Sequence, residues 1–187
     1  MPIRQPAADS SPRQRLIKAA YLLFNDGGVK NVGINQILDK AGCAKASLYD
    51  NFGSKAKLAL AVLAHREQIW TRDWLEHEIK SRNADPVDRL LSIFDIYDDW
   101  FRHPKFKGCL FIKVLLEPKW DAKVQGAASD KLKNIRDIIV ELAKDAELSN
   151  PERFAQVWQL LMHGTIVDAS VIVEAAALRG EASTEAP

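Results

Sequence analysis

Side chains that could bind the phosphates and base edges of a nucleic acid are concentrated between residues 45 and 55. Lysine, serine and tyrosine can donate hydrogen bonds to phosphate oxygens, and asparagine can read base edges or contact the backbone. The set consists of Lys45, Ser47, Tyr49, Asn51 and Lys55. No catalytic chemistry is suggested, because the chain has no catalytic triad order, paired-carboxylate context, phosphate loop or metal-ligand spacing.

Two short predicted helices would position these side chains. The stretch INQILDKA, residues 34–41, has apolar residues on one face, and Gly42 ends it as a glycine after the C-cap would. After Gly42, only Cys43 and Ala44 precede the second stretch, KASLYDNF, residues 45–52. Two short helices joined by a tight turn have the helix-turn-helix geometry, whose second helix fits the major groove of DNA. Leu48 and Phe52 would then face inward and leave the polar residues exposed.

The next predicted helix supplies a second indication. Ser54 can cap a helix whose first turn holds Lys55 and Lys57. Cations are mildly unfavourable beside a helix N-terminus, whereas amide N–H groups and lysines together suit a phosphate. The alternative interpretation is that exposed lysines are tolerated there without any function.

Charge is unevenly distributed along the chain. Residues 1–57 carry nine Lys or Arg and four Asp or Glu, a net charge of +5, and residues 58–187 carry a net charge of −4. A basic N-terminal part suggests contact with a polyanion, although a chance fluctuation gives the same pattern.

Helical periodicity continues through the rest of the chain, so the predicted fold is all-α, with a three-helix helix-turn-helix head and a larger helical body. The predicted domains are an arm and DNA-binding head over residues 1–57, a body over 58–179 and a disordered tail over 180–187. Further helices are predicted over residues 12–27, 55–82, 87–102, 108–116, 122–147 and 150–178.

The stretch GVKNVGINQILDKAGCAKASLYDNFGSKAKL resembles the DNA-binding head of the TetR/AcrR-type bacterial regulators. The matching positions are Gly28, Ile37, Ala41-Gly42, Leu48-Tyr49, Phe52, Ser54-Lys55 and Leu58. The resemblance implies that Tyr49 and Lys55 contact phosphates, that Lys45 and Ser47 face bases or backbone, and that Gln36 lies near the backbone. It also implies a small-molecule pocket in the body and a dimer interface in the last two helices.

Four positions depart from that pattern, and one of them is Ala46, which replaces the usual Gly. Gly33 stands where a Ser or Thr usually caps the second helix, Ala44 removes a hydroxyl before the third, and Asp50 places an acid on it. An acid can accept a hydrogen bond from cytosine N4 but repels phosphate. Ala44 and Asp50 favour one alternative, a regulator that acts mainly through a protein partner and has weak DNA affinity.

Aromatic residues at helical spacing in the body are candidates for an effector pocket. The predicted pocket consists of Trp70, Trp74, Phe94, Trp100, Phe111 and Trp158. Core packing is the competing explanation for each of them. Nearby acids, Asp98, Asp99 and Glu117, suggest a cationic aromatic ligand if they face the pocket, and solvated surfaces if they do not.

The last predicted helix offers a stripe for dimerisation through Phe154, Leu161, Thr165 and Ala169. A two-fold symmetric dimer would match a pseudo-palindromic operator on double-stranded DNA. The predicted function is a non-enzymatic, ligand-responsive transcriptional repressor, which an apolar or aromatic effector releases from its operator.

Other features are expected to have no role. No cofactor or metal is expected. Cys43 and Cys109 are expected to be reduced thiols. The alternative for Cys43, which lies in the turn, is a redox switch. No apolar stretch approaches the length of a membrane span, and no secretory signal precedes the first helix, so the expected compartment is the cytoplasm.

Overall fold

The computed structural model describes residues 11–82, 85–118 and 121–178, and within these ranges it contains helices and no strand. The predicted all-α fold is therefore confirmed. The helices are α1 (Pro12–Gly27), α2 (Ile34–Ala41), α3 (Lys45–Phe52), α4 (Lys55–Arg66), a π-helical segment (Glu67–Leu75), α5 (Glu76–Arg82), α6 (Pro86–Phe101), α7 (Leu110–Leu116), α8 (Ala122–Asp145) and α9 (Pro151–Leu178). The predicted tail and the first ten residues of the predicted arm lie outside the described residues.

The chain forms two compact units. Of the described residues, the first unit contains 11–69 with 110–118 and 121–131, and the second contains 70–82, 85–109 and 132–178. Helices α1 to α4 and α7 thus share a unit, and α8 contributes residues to both. The predicted domain division after Lys57 stays a prediction, because compactness alone does not define a functional domain.

The first unit is built around α1, which begins with a reciprocal cap. The Ser11 hydroxyl accepts a hydrogen bond from the Gln14 N–H at 3.3 Å, and the Gln14 side chain accepts one from the Ser11 N–H at 3.2 Å. Fully buried apolar side chains form the core of this unit: Leu16, Phe24, Ile37, Leu48 and Leu58 each have zero exposed area. Because α2 and α3 both contribute to this core, their outer faces are fixed in direction.

The predicted single helix over residues 55–82 is interrupted. Helix α4 ends at Arg66, the π-helical segment runs over Glu67–Leu75, and α5 completes the stretch. A π-helix holds more residues per turn than an α-helix, so a constant 3.6-residue period does not describe the segment. Trp70 and Thr71 lie on it and are buried.

The second unit has an aromatic core. Trp70 and Trp74 from the π-helical segment meet at a ring-centroid distance of 5.4 Å, and Tyr97 of α6 meets Trp158 of α9 at 5.2 Å. Among the described residues, no helix combines the length and the apolar character needed to cross a membrane.

Candidate functional site

The turn between α2 and α3 is held by backbone and side-chain hydrogen bonds. Gly42 adopts a left-handed φ of 59°, which lets the Cys43 N–H reach the carbonyl of Leu38 at 3.1 Å. From α1, Arg15 Nε donates to the Ala41 carbonyl at 3.2 Å, and its Nη2 lies 3.5 Å from the Cys43 sulfur. The guanidinium therefore joins α1 to the turn and fixes where α3 begins.

Helix α3 presents a basic and aromatic edge. Leu48 and Phe52 are buried, whereas Lys45 and Tyr49 are exposed, with 44% of Tyr49 accessible. The Lys45 ammonium lies 6.0 Å from the centre of the Tyr49 ring. An ammonium next to a phenol on an exposed helix offers two donors to phosphate oxygens.

The other predicted residues on the helix pair make local bonds. Asn51 is exposed, but its Nδ2 donates to the carbonyl of Ser47, a half-buried residue, at 2.7 Å. The Gln36 side-chain oxygen accepts from the Gly33 N–H at 2.7 Å. Gln36 thus forms the half of a capping box that acts on the Gly33 N–H, and the side-chain acceptor for the first N–H groups of α2 is missing at Gly33. Ala44 caps α3 without any side-chain bond.

Lys55 and Lys57 differ in their surroundings. Ser54 caps α4 as predicted, its hydroxyl accepting from the Lys57 N–H at 3.2 Å, and the Lys57 side chain is exposed. Lys55 is half-buried, and its ammonium donates to the Lys30 carbonyl at 3.2 Å. Burial lowers the pKa of Lys55, and the Glu117 carboxylate partly opposes this. Lys55 therefore has an internal acceptor, whereas Lys45 and Lys57 extend into solvent.

A residue from α7's C-terminal end completes the first unit. The Glu117 carboxylate accepts hydrogen bonds from the backbone N–H groups of Val29 and Lys30, in the connector between α1 and α2. Lys113 donates to the Asn25 carbonyl at 2.7 Å. Sequence reasoning missed these contacts and that of Arg15, because no local pattern pairs residues 26 to 88 positions apart.

The predicted pocket residues fall into three groups. Trp70, Trp100 and Trp158 are buried and Trp74 is half-buried, and all four lie in the second unit, where Trp70 and Trp100 have ring centroids 5.0 Å apart. We call these four residues, with Tyr97, the aromatic cluster. Phe94 instead is 40% exposed, because it lies on the outer face of α6 beside Val87 and Leu91. Phe111 is buried in the first unit.

The indole nitrogen of Trp158, in the aromatic cluster, bears on ligand binding. Trp158 Nε1 is buried and has no hydrogen-bond acceptor among the described residues. A buried donor without an acceptor is unfavourable, and a bound molecule can relieve this cost.

The acids near the aromatic residues do not supply a charge to this cluster. Asp98 pairs with Arg102 at 2.7 Å, and Asp99 pairs with Arg82 at 2.6 Å, with both carboxylates more than half exposed. Glu117 belongs to the first unit and caps backbone N–H groups there. The solvated-surface interpretation of these acids fits the contacts better than the cationic-ligand interpretation does.

Helix α9 has an unusually apolar outer face. Leu160, Leu161 and Val171 are 73%, 56% and 58% exposed, and a side chain at Gly164 would meet nothing within 4 Å. Of the four predicted interface residues, Leu161 and Thr165 are exposed, and Phe154 and Ala169 are half-buried. Sequence reasoning missed Leu160 and Val171, although their spacing from Leu161 and Gly164 matches one helical face.

Metal-binding and cysteine chemistry have little support in the described residues. No group of three or more His, Cys, Asp or Glu side chains there could hold a metal ion. Cys43 is half-buried and Cys109 is buried, and neither forms a disulfide.

Comparison with known proteins agrees with the helix-turn-helix geometry. The family model described as "Bacterial regulatory proteins, tetR family" matches residues 16–62. The repressor NicS of Pseudomonas putida is 32% identical over 135 residues, which cover 72% of this chain and 58% of NicS. An uncharacterised helix-turn-helix regulator of Lactococcus lactis is 29% identical over 56% of this chain and 54% of its own length. The chain thus spans little more than half of these two relatives.

Solved structures share the fold over most of the chain. A TetR-type regulator from Streptomyces avermitilis has a TM-score of 0.76 and 26% identity, covering 87% of both chains. The reduced form of Escherichia coli NemR has a TM-score of 0.77 at 20% identity and covers 86% of this chain and 87% of its own. The architecture and the helix pair define a helix-turn-helix regulator. The chain belongs to the TetR family of bacterial transcriptional regulators.

Proposed function

We propose that this chain is a ligand-responsive repressor, acting in the cytoplasm, that binds a pseudo-palindromic operator on double-stranded DNA as a homodimer. Binding of an apolar or aromatic small molecule in the second unit would lower its affinity for the operator. The observation that carries the proposal is the outer face of α3, which holds exposed Lys45, Tyr49 and Asn51 on a helix anchored by buried Leu48 and Phe52.

The proposed DNA contacts follow from exposure and chemistry. Lys45 and Tyr49 would contact phosphates along one wall of the major groove, and Ser47 and Asn51 would face the other wall or the base edges. Lys57 is exposed and adds a cation at the N-terminus of α4. Gln36 and Lys55 stay in the proposed set of DNA-contacting residues. Each should contribute less to DNA binding, because its side chain already bonds a backbone group of the protein.

Repression is favoured by the names of relatives. NicS and KstR2 of Mycolicibacterium smegmatis are both named repressors, and the matching segment of KstR2 is 32% identical. FasR of the same organism, 45% identical over 51 residues, is named an activator. The longer match to NicS makes repression the preferred assignment for this chain.

Dimerisation is supported by the outer face of α9. Contiguous exposed apolar side chains of this size are uncommon on a monomer and indicate a partner surface. A second copy is the proposed occupant, because a two-fold interface brings the same stripe of both chains together and gives two heads for two half-sites.

The aromatic cluster is the proposed effector site. The acids beside it in sequence are neutralised by arginines, which favours an uncharged ligand over a cationic one. The buried Trp158 Nε1 could donate to an acceptor atom of that ligand. Phe94 and Phe111 stay predictions for this site, with less support than the four tryptophans.

Retention of sheared genomic DNA by the purified protein tests the proposed function. The expected result is enrichment of one or a few sites that share an inverted repeat. The binding of these sites should weaken as the salt concentration is raised. Retention of random DNA at moderate salt, or a flat dependence of binding on salt, would contradict it. Either result would favour the alternative in which Ala44 and Asp50 weaken the affinity of the head for an operator and a protein partner mediates regulation.

A further inference from the structure

Asp50 occupies the centre of the exposed face of α3. Successive residues of an α-helix are about 100° apart, so Asp50 points about 160° away from both Leu48 and Phe52. Those two residues are buried, whereas Asp50 is exposed. When the buried face rests on the head, Asp50 is therefore the residue directed most squarely away from it.

The flanks of the same face carry different chemistry. Lys45 and Tyr49 lie on one side of Asp50, and Ser47 and Asn51 lie on the other, as the helical period requires. A helix in the major groove meets phosphates at its flanks and base edges along its centre. Ala46, one turn before Asp50, is exposed and too small to hold the helix away from the bases.

The Asp50 carboxylate is available to a ligand. Among the described residues it has no hydrogen-bond or ion-pair partner, although lysines are present on the same helix and the next. An ionised carboxylate can only accept hydrogen bonds, and it is repelled by the phosphates that surround a groove. Its presence at this position is favourable only if the DNA offers it a donor.

The major groove offers two kinds of donor. Cytosine presents its N4 amine and adenine its N6 amine, but adenine also presents N7, an acceptor beside the amine that would repel a carboxylate. Thymine O4 and the O6 and N7 atoms of guanine are acceptors and repel it as well. Cytosine is thus the base that best matches an isolated carboxylate.

We propose that Asp50 determines the specificity of this interface by accepting a hydrogen bond from the N4 amine of one cytosine in each operator half-site. The proposal rests on the proposed function, since it requires that α3 enter the major groove. Asp50, which weakens general attraction to DNA, would then exclude sites without that cytosine.

Selection from a randomised duplex pool by the full chain tests this assignment. The wild type should select an inverted repeat with one cytosine fixed in each half-site, favoured by about 10- to 100-fold over other bases. Asp50→Asn and Asp50→Ala should lose the preference at that position and keep it at the others. Asp39→Asn is the matched control, because it removes an exposed acid from α2 and should leave the selected sequence unchanged.

The two possible failures are distinguishable. If the wild type selects a repeat and both Asp50 variants select the same repeat with the same preferences, the assignment of Asp50 is wrong and the proposed function stands. A wild type that selects no repeat at all overturns the operator-binding function and the role of Asp50 with it. Thermal unfolding of each variant checks that the exposed substitution has left the fold intact.

Discussion

The carboxylate of Glu117, at the end of α7, accepts a hydrogen bond from the backbone N–H of Lys30 at 3.0 Å, and it also accepts from the N–H of Val29. The connector between α1 and α2 has no side chain of its own that does this. Lys30 in turn supplies the carbonyl to which Lys55 donates. Glu117 therefore orders the backbone whose carbonyl accepts a hydrogen bond from Lys55, one of the proposed DNA-contacting lysines.

Replacing Glu117 should destabilise the protein measurably. In Glu117→Ala the partly buried N–H of Val29 and the exposed N–H of Lys30 lose a charged acceptor, so the free energy of unfolding should fall by about 1–3 kcal/mol. Glu117→Gln keeps an acceptor oxygen and should lose less. Urea unfolding followed by circular dichroism at neutral pH measures both changes.

Glu141→Ala is the control for that prediction, because Glu141 is 69% exposed and makes a surface ion pair with Lys144. Its loss should change the free energy of unfolding little, because solvent screens an exposed ion pair. Equal destabilisation by the alanine variants at 117 and 141 would mean that the Glu117 contacts contribute nothing special.

Gly28 is required by the same contact. Its φ is 76°, and a Cβ there would lie 2.5 Å from the Glu117 carboxylate oxygen. Gly28→Ala should therefore lower stability by about 1–2 kcal/mol from the backbone alone, with a further loss from displacing Glu117. Chemical denaturation is again the measurement.

Gly126→Ala provides the opposite expectation within a helix. Gly126 lies in α8, and an added Cβ would meet nothing within 4 Å, so the substitution should raise stability by about 0.5–1 kcal/mol. The prediction for Gly28 is wrong if Gly28→Ala leaves the unfolding midpoint unchanged or raises it, as Gly126→Ala is expected to do.

Lys45 and Lys55 should contribute differently to DNA binding. Each phosphate contact adds about 0.9 to the slope of log K against log salt, so Lys45→Met should reduce the slope by about two for a dimer. Lys55→Met should reduce it less and should lower thermal stability, because the Lys30 carbonyl loses its donor. Fluorescence anisotropy with a random duplex at several salt concentrations measures the slopes.

The comparison of these two variants decides whether Lys55 binds phosphate or supports the connector between α1 and α2. Equal reductions in slope, with no change in thermal stability for Lys55→Met, would assign Lys55 to phosphate binding and not to the support of the connector.

The outer face of α9 should be needed for dimerisation. A charge at Leu160 would be buried without a partner in a two-fold interface, so Leu160→Asp should convert the dimer into a monomer at micromolar concentration. Light scattering measures the mass. Leu116→Asp, which places the same charge at a similarly exposed leucine of α7 and not on α9, is the control and should remain dimeric. A wild type that is already monomeric would refute the dimer.

His163 should make stability depend on pH. Burial lowers the pKa of His163 below its ordinary value, so the unfolded chain binds more protons as the pH falls. The stabilisation is full above the unfolded pKa of about 6.5 and is lost progressively below it. His163→Gln should therefore show a smaller loss of stability than the wild type between about pH 7 and about pH 5.

An exposed histidine gives the reference for that experiment. The unfolding curves of His77→Gln should follow those of the wild type at each pH, because His77 lies on the surface of α5. If His163→Gln loses as much stability on acidification as His77→Gln does, the half-buried imidazole is not responsible.

The helix pair was predictable because its boundaries are local. Gly42 and Gly53 end α2 and α3 with left-handed φ values of 59° and 71°, and the apolar period of each helix identifies Ile37, Leu48 and Phe52 as buried. A cap or a period involves residues within one or two turns of each other, so it can be read directly from their order. The predicted bounds of α2 and α3 agree with the structure.

The surroundings of those helices required the tertiary structure. Helical spacing alone treats Phe94 and Trp100 alike, yet Phe94 is 40% exposed and Trp100 is 8% exposed. The sequence predicts that Lys55 contacts phosphate, but it does not show that the Lys30 carbonyl lies within hydrogen-bond distance of the Lys55 ammonium. The difference lies in which surfaces pack together, and packing depends on partners far away in the chain.

The amino-acid order by itself determined the all-α fold, the helix-turn-helix and the polar residues carried by α3, since each depends on neighbours in sequence. Folding decided that Glu117 caps the connector 87 residues earlier, that Arg15 holds the turn, and that Asp50 is exposed with no partner among the described residues. Those features are decided by long-range burial and hydrogen bonding, which local patterns do not encode.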